Sequence, residues 1–120
     1  MLNLNSVLVF STKPKELAKF YQKVLKVKPD WSGGDFVGFK VGNGYLTIGP
    51  HSKVKGKTKE PYRIMLNFET RQVQSHFKRL KKMKVKVIKA PYHPDEEEGM
   101  LIATLADPDG NIFQLMSPWK

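Results

Sequence analysis

Apolar positions along the chain alternate between two periods, and the alternation is repeated. Leu8-Val9-Phe10 closes a strand-like N-terminal stretch and gives way to Ser11-Thr12-Lys13. Leu17, Phe20, Tyr21, Val24 and Leu25 then recur at helical spacing, with Pro14 in the opening turn, where a missing N–H costs nothing. Asp35 to Val41 returns to a strand pattern, turns through Gly42-Asn43-Gly44, and continues as Tyr45-Leu46-Thr47-Ile48. The second half begins again with Leu66-Asn67-Phe68-Glu69-Thr70-Arg71, which matches Leu8 to Lys13 in Leu, Phe, Thr and a base. Val73, Phe77 and Leu80 form a second helical face. Met100 to Ala106 and Ile112 to Met116 read as a hairpin around Asp107-Pro108-Asp109-Gly110-Asn111, where Pro presets φ, Asp bonds nearby backbone and Gly accepts positive φ.

Each half therefore reads as strand, helix and about three strands, and a repeat of this kind is evidence for architecture. The expected class is α+β. A first module spans about 1–50, a linker about 51–62 and a second module about 63–118, within one domain of 120 residues.

Composition narrows the class. Hydrophobic residues make up 40%, as in a folded globular chain. No apolar run is long enough to cross a membrane, and the strand-like N-terminus is not a signal peptide. Cysteine is absent, which excludes disulfides, thiolate metal sites and a cysteine nucleophile and suits a cytoplasmic protein. The net charge of +10 draws anions in general without selecting one. Residues 71–89 carry Arg71, Lys78, Arg79, Lys81, Lys82, Lys84, Lys86 and Lys89 and no acid, so the second helix has a basic outer face. That face reads either as a polyanion footprint or as a solvated surface; no aromatic platform or nucleic-acid motif accompanies it, which favours the solvated surface.

Phe20-Tyr21-Gln22-Lys23-Val24-Leu25 resembles the Phe-Tyr-x-x-Val-Leu helix ending of the vicinal oxygen chelate superfamily. Asp107 to Asn111 with Gln114-Leu115 resembles its last hairpin. That superfamily includes glyoxalase I, bleomycin and fosfomycin resistance proteins and extradiol dioxygenases. The resemblance implies two paired βαβββ modules forming a curved mixed sheet around a ligand cleft, and often a homodimer. Exposed apolar residues such as Trp119 would also be covered in a dimer.

The family's metalloenzymes hold a metal through His, Glu or Gln on the first and last strands of each module. Strand alternation assigns the matching positions here. With Leu8 and Phe10 turned to the helices, Asn5, Val7 and Val9 face the cleft, or Ser6 in place of Asn5 if the register slips by one. The same parity turns Arg63, Met65, Tyr45, Thr47, Ile112, Gln114 and Met116 to the cleft, with Trp31 near the rim. The four ligand-equivalent positions are then Asn5, Thr47, Arg63 and Gln114. Arg63 has no lone pair, Asn5 and Thr47 are weak neutral ligands, and one glutamine amide does not hold a transition metal. No metal and no other cofactor is expected. The implied function is metal-free binding of a small aromatic or anionic molecule, as in the drug-binding members. The alternatives are a metal-dependent lyase, transferase or dioxygenase, and polyanion binding through the basic helix. Arg63 would either hold an anionic ligand or pair with an acid at the surface.

No catalytic residue is identifiable, and neither a nucleophile elbow nor a phosphate loop occurs. His51, His76 and His93 fall away from the ligand-equivalent positions. His93 beside Asp95-Glu96-Glu97-Glu98 reads as a weak surface cation site or a solvated loop.

Overall fold

The computed structural model describes residues 1–94 and 99–118. In chain order the elements are β1 (Ser6–Phe10), α1 (Pro14–Leu25), β2 (Trp31–Gly33), β3 (Phe36–Val41), β4 (Gly44–Gly49), β5 (Leu66–Glu69), α2 (Val73–Lys82), β6 (Lys86–Tyr92), β7 (Ile102–Ala106) and β8 (Ile112–Met116). The fold is α+β, with two four-stranded mixed sheets ordered β1-β4-β3-β2 and β5-β8-β7-β6. The chain divides into compact units Met1–Gly56 and Lys57–Lys120.

Each unit is a βαβββ module built the same way. The first strand runs parallel to the fourth, and the other pairings are antiparallel. The strand-to-helix joint is also repeated. Ser11 donates its backbone N–H to the Gly49 carbonyl at 2.9 Å, and Thr70 donates to Met116 at 2.8 Å. Ser11 Oγ accepts the Lys13 N–H at 3.0 Å, and Thr70 Oγ1 accepts the Gln72 N–H at 3.1 Å. A hydroxyl thus satisfies an N–H that the first helical turn leaves unbonded. Ser11 therefore corresponds to Thr70, and Val7 and Val9 correspond to Leu66 and Phe68. The match of Leu8 to Leu66 made on sequence alone is one residue out.

In the first module α1 lies against β3 and β4. Leu17, Ala18, Tyr21 and Val24 are buried on it, facing the buried Phe39, Leu46 and Ile48. Each such side chain removed from water contributes about 1.5–3 kcal/mol before entropy is counted. The helix stops at Lys26, whose left-handed φ of 55° lets its N–H reach the Gln22 carbonyl. In the second module α2 buries Val73, Phe77 and Leu80 against β6, β7 and β8, where Leu105, Phe113 and Leu115 are buried.

The β7–β8 turn is held by one carboxylate. Asp107 is 5% exposed. Its Oδ1 accepts the backbone N–H groups of Asp109 and Asn111 at 2.9 and 3.0 Å, and Asn111 Nδ2 donates to Oδ2 at 3.0 Å. Gly110 closes the turn with φ of 86°, its N–H bonded to the Asp107 carbonyl at 2.9 Å.

The basic run does not form one face. Lys78, Arg79, Lys81 and Lys82 lie on α2, and Lys84 sits in the following turn with φ of 67°. Lys86 and Lys89 pair with Ala106 and Thr104 in β6–β7. They share the sheet face of Gln114, opposite the buried Leu105 and Phe113. Asp95 to Glu98 and Trp119 lie outside the described residues.

Candidate functional site

Residues paired across neighbouring strands share a face of the sheet. In the first module the row Leu8–Thr47–Gly38–Trp31 crosses all four strands on the face away from α1. Beside it lies the row Ser6–Tyr45–Lys40. Val7 and Val9 pair with Leu46 and Ile48, on the helix face. They therefore do not share a face with Thr47, and Leu8, 53% exposed, takes the position expected of them. The residue on the ligand-equivalent row is Ser6, with Asn5 just before the strand; the Asn5 carbonyl accepts the Tyr45 N–H at 3.0 Å.

This open face carries a depression of about 530 Å³. Its apolar walls are Leu8, Trp31, Phe36 and Tyr45, and its polar groups are Asn5, Ser6 and Thr47. Asp30 at its rim is its one charged lining residue among the described residues. Two glycines make room for the aromatic walls. A methyl group on Gly38 would collide with the Trp31 indole, and one on Gly49 would collide with the Phe36 ring. Both rings thus lie on bare backbone, the close approach that only glycine permits in a strand. Phe10 meets Phe36 edge to face at 6.4 Å and His51 at 5.1 Å, which fixes Phe36 from the side. Phe36, Leu8 and Asp30 were not read from the sequence; the available signal was the glycines of β3 and β4, each opposite an aromatic.

In the second module the open face brings together Asn67, Thr104 and Gln114. Gln114 Nε2 donates to Thr104 Oγ1 at 3.0 Å. Ile112 and Met116 share that face by alternation, and Lys89 Nζ sits 3.8 Å over the Tyr92 ring. Arg63 and Met65 are not on β5, which begins at Leu66. Arg63 lies in a turn whose N–H bonds the Glu60 carbonyl at 3.2 Å. Its guanidinium grips the Glu60 carboxylate through two hydrogen bonds of 2.8 and 3.1 Å. The β5 residue paired with Gln114 is Asn67. The expectation that an arginine stands at that position, repelling a cation, is corrected: the position holds an amide.

The donors at the metal-equivalent strand positions do not fit a divalent transition metal. Ser6 and Thr47 offer neutral hydroxyls, and Asn67 and Gln114 offer amides, with no imidazole or thiolate among them. Among the described residues no three His, Cys, Asp or Glu side chains converge. The histidines are engaged elsewhere. His76 Nδ1 accepts from Arg79 at 2.9 Å, since a guanidinium only donates, and His93 Nδ1 lies 2.8 Å from the Met100 carbonyl.

The family model described as the Glyoxalase/Bleomycin resistance protein/Dioxygenase superfamily matches residues 3–115. The chain belongs to this superfamily. Solved structures of the glyoxalase fold superpose on nearly all of it. A glyoxalase/bleomycin resistance protein/dioxygenase family enzyme from Burkholderia phytofirmans PsJN is 22% identical, with a TM-score of 0.75 over 97% of this chain and 98% of that one. A lactoylglutathione lyase from Agrobacterium tumefaciens is 16% identical, with a TM-score of 0.74 over 96% and 92%. A glyoxalase-related enzyme from Fulvimarina pelagi is 16% identical, with a TM-score of 0.78 over 98% and 89%. At these identities the likeness is one of fold. No curated protein sequence matches the chain. Among the described residues of this superfamily member, no helix is long and apolar enough to cross a membrane.

Proposed function

We propose that this glyoxalase-superfamily protein holds a small aromatic molecule, without a transition metal, against the open face of its first sheet. The observation that carries the reading is the depression of about 530 Å³ walled by Leu8, Trp31, Phe36 and Tyr45. Its volume suits a ligand of one to three rings, and its composition, apolar walls with a few polar groups, is that of small-molecule sites. Trp31 offers a stacking plane, and Asn5, Ser6 and Thr47 supply hydrogen bonds that orient a bound ring. Anion binding through Arg63 is not carried forward, because Arg63 lies in a turn outside β5 and its guanidinium is paired with Glu60.

Native mass spectrometry of protein purified without chelators identifies any retained molecule. Titration of planar aromatic compounds then measures the site. Trp31→Ala is expected to weaken binding about five- to tenfold, the scale of one aromatic contact. Equal affinity in both proteins would remove Trp31, and with it the site. Metal analysis of the same preparation separates this reading from a metal-dependent lyase, transferase or dioxygenase: stoichiometric metal would favour the enzyme. We further propose a homodimer as the working form, since Leu2, Leu4, Tyr62 and Ile64 leave most of their apolar surface in water. Sedimentation at micromolar concentration checks it, and a monomer throughout would refute it.

A further inference from the structure

The charge of the first module's depression is opposite to that of the chain. The protein carries a net charge of +10, and Lys23, Lys26 and Lys28 lead into the segment that forms the rim. Yet the charged side chain lining the depression is Asp30. Its backbone N–H bonds the Gly38 carbonyl at 2.7 Å, which pins it next to Trp31, itself seated on Gly38. Lys15 pairs with Asp35 and Arg63 with Glu60, while Asp30 forms no ion pair among the described residues. Lys40 stands opposite Tyr45 on the same sheet face but is not part of the lining.

We propose that the ligand of this site is a planar aromatic cation; the inference rests on the aromatic-site reading above. Two independent features select the positive charge. The faces of Trp31, Phe36 and Tyr45 carry the negative part of the ring quadrupole, which attracts a cation within about 6 Å. The unpaired Asp30 carboxylate adds a full negative charge at the rim, within reach of a ligand stacked on Trp31. An anionic ring would meet repulsion from both. Lys40, opposite Tyr45 on this face, is exposed and does not line the depression, and lysines more than about 10 Å away are largely screened at about 0.1 M salt. Local groups therefore decide the sign, and the overall charge sets only the long-range field. The polar groups Asn5, Ser6 and Thr47 are neutral and bind either kind of ring substituent.

Three probes of nearly one outline test this: 1-methylquinolinium, its neutral counterpart 1-methylnaphthalene, and the anion 1-naphthoate. Their affinities are measured by fluorescence titration on the full chain, on Asp30→Asn and on Trp31→Ala. The natural sequence is expected to hold the cation about tenfold more tightly than the neutral ring. Asp30→Asn is expected to reduce cation affinity about fivefold and leave the neutral ring unchanged. Equal binding of cation and neutral ring would overturn the charge preference, as would an Asp30→Asn variant with an unchanged ratio or tightest binding of 1-naphthoate. If those results came with a weakening of about five- to tenfold in Trp31→Ala, the aromatic site would stand while the cationic ligand fell. If none of the three probes bound, both would fall.

Discussion

Gly38→Ala puts the aromatic wall to a direct thermodynamic test. A Cβ at this position would fall on Nε1, Cε2 and Cδ1 of the Trp31 indole, so ring and methyl cannot keep their places together. Trp31 is 44% exposed, and a little over half of its surface is covered. A tryptophan buries at most roughly 250 Å², so expelling this ring returns on the order of 100 Å² to water, about 2.5 kcal/mol at about 25 cal/mol per Å². The backbone works in the other direction. Gly38 is not among the glycines with positive φ, so alanine suits its strand conformation and recovers about 0.5–1 kcal/mol of chain entropy. The net expectation is a loss of about 1.5–2 kcal/mol. In a Trp31→Ala background the clash is gone, and Gly38→Ala should be neutral or stabilising by about 0.5 kcal/mol. Urea unfolding of the four proteins of this cycle gives the coupling energy. The single variant should also shift Trp31 emission to the red, read in a Trp119→Phe background because the chain has two tryptophans. A cost for Gly38→Ala that persisted unchanged without Trp31 would refute the contact.

Other outcomes follow from the same geometry. Val9→Asp places a charge at a half-buried position on the helix face beside Ile48 and should cost about 2–3 kcal/mol in urea unfolding, while Leu8→Thr should stay within about 0.5 kcal/mol and weaken probe binding instead; the reverse order would restore the parity expected from sequence. Asp107→Ala strips several bonds from the β7–β8 turn and should lower stability by about 2–4 kcal/mol, seen as a lower urea midpoint at constant slope. Arg63→Ala removes one exposed ion pair, should change stability by less than about 1 kcal/mol, and should leave the affinity for 1-methylnaphthalene untouched. A large loss of binding in that variant would reinstate Arg63 as a ligand contact.

The elements that could be read from sequence are those whose two sides differ chemically. Leu17, Tyr21 and Val24 are apolar on one side of α1 while Lys15, Lys19 and Lys23 occupy the other, so the helix announces its buried face. Thr47 and Gln114 interrupt apolar strands at alternate positions, and their faces were legible for that reason. β1 gives no such cue. Val7, Leu8, Val9 and Phe10 are apolar on both faces, and a strand apolar on both faces carries no parity. The Leu-x-Phe shared with β5 then suggested a register one residue away from the one set by Ser11 and Thr70. Arg63-Ile64-Met65 leads directly into the strand residues from Leu66, but a turn at Glu60 and Arg63 holds it outside β5. Trp31 was legible as a rim residue, but Asp30 was hidden for another reason: it reaches the site beside the β2–β3 pairing, a long-range fact that local pattern does not contain.

The parallel pairing of first and fourth strands has a consequence for the order in which the chain becomes structured. β3–β4 and β7–β8 are local hairpins and can form as soon as they are made. β1 has to wait for Tyr45 to Gly49, and β5 for Phe113 to Met116. Each module thus makes its edge strand first and secures it last, after the costly closure of a long loop. During synthesis β1, apolar on both faces, stays unpaired until the whole first module has emerged. In the second module, loss of Ile112–Met116 would take away β8 and leave β5 and β7 on either side of a gap. The last turn and strand therefore act as the clasp of the second module, and damage there should propagate through its entire sheet.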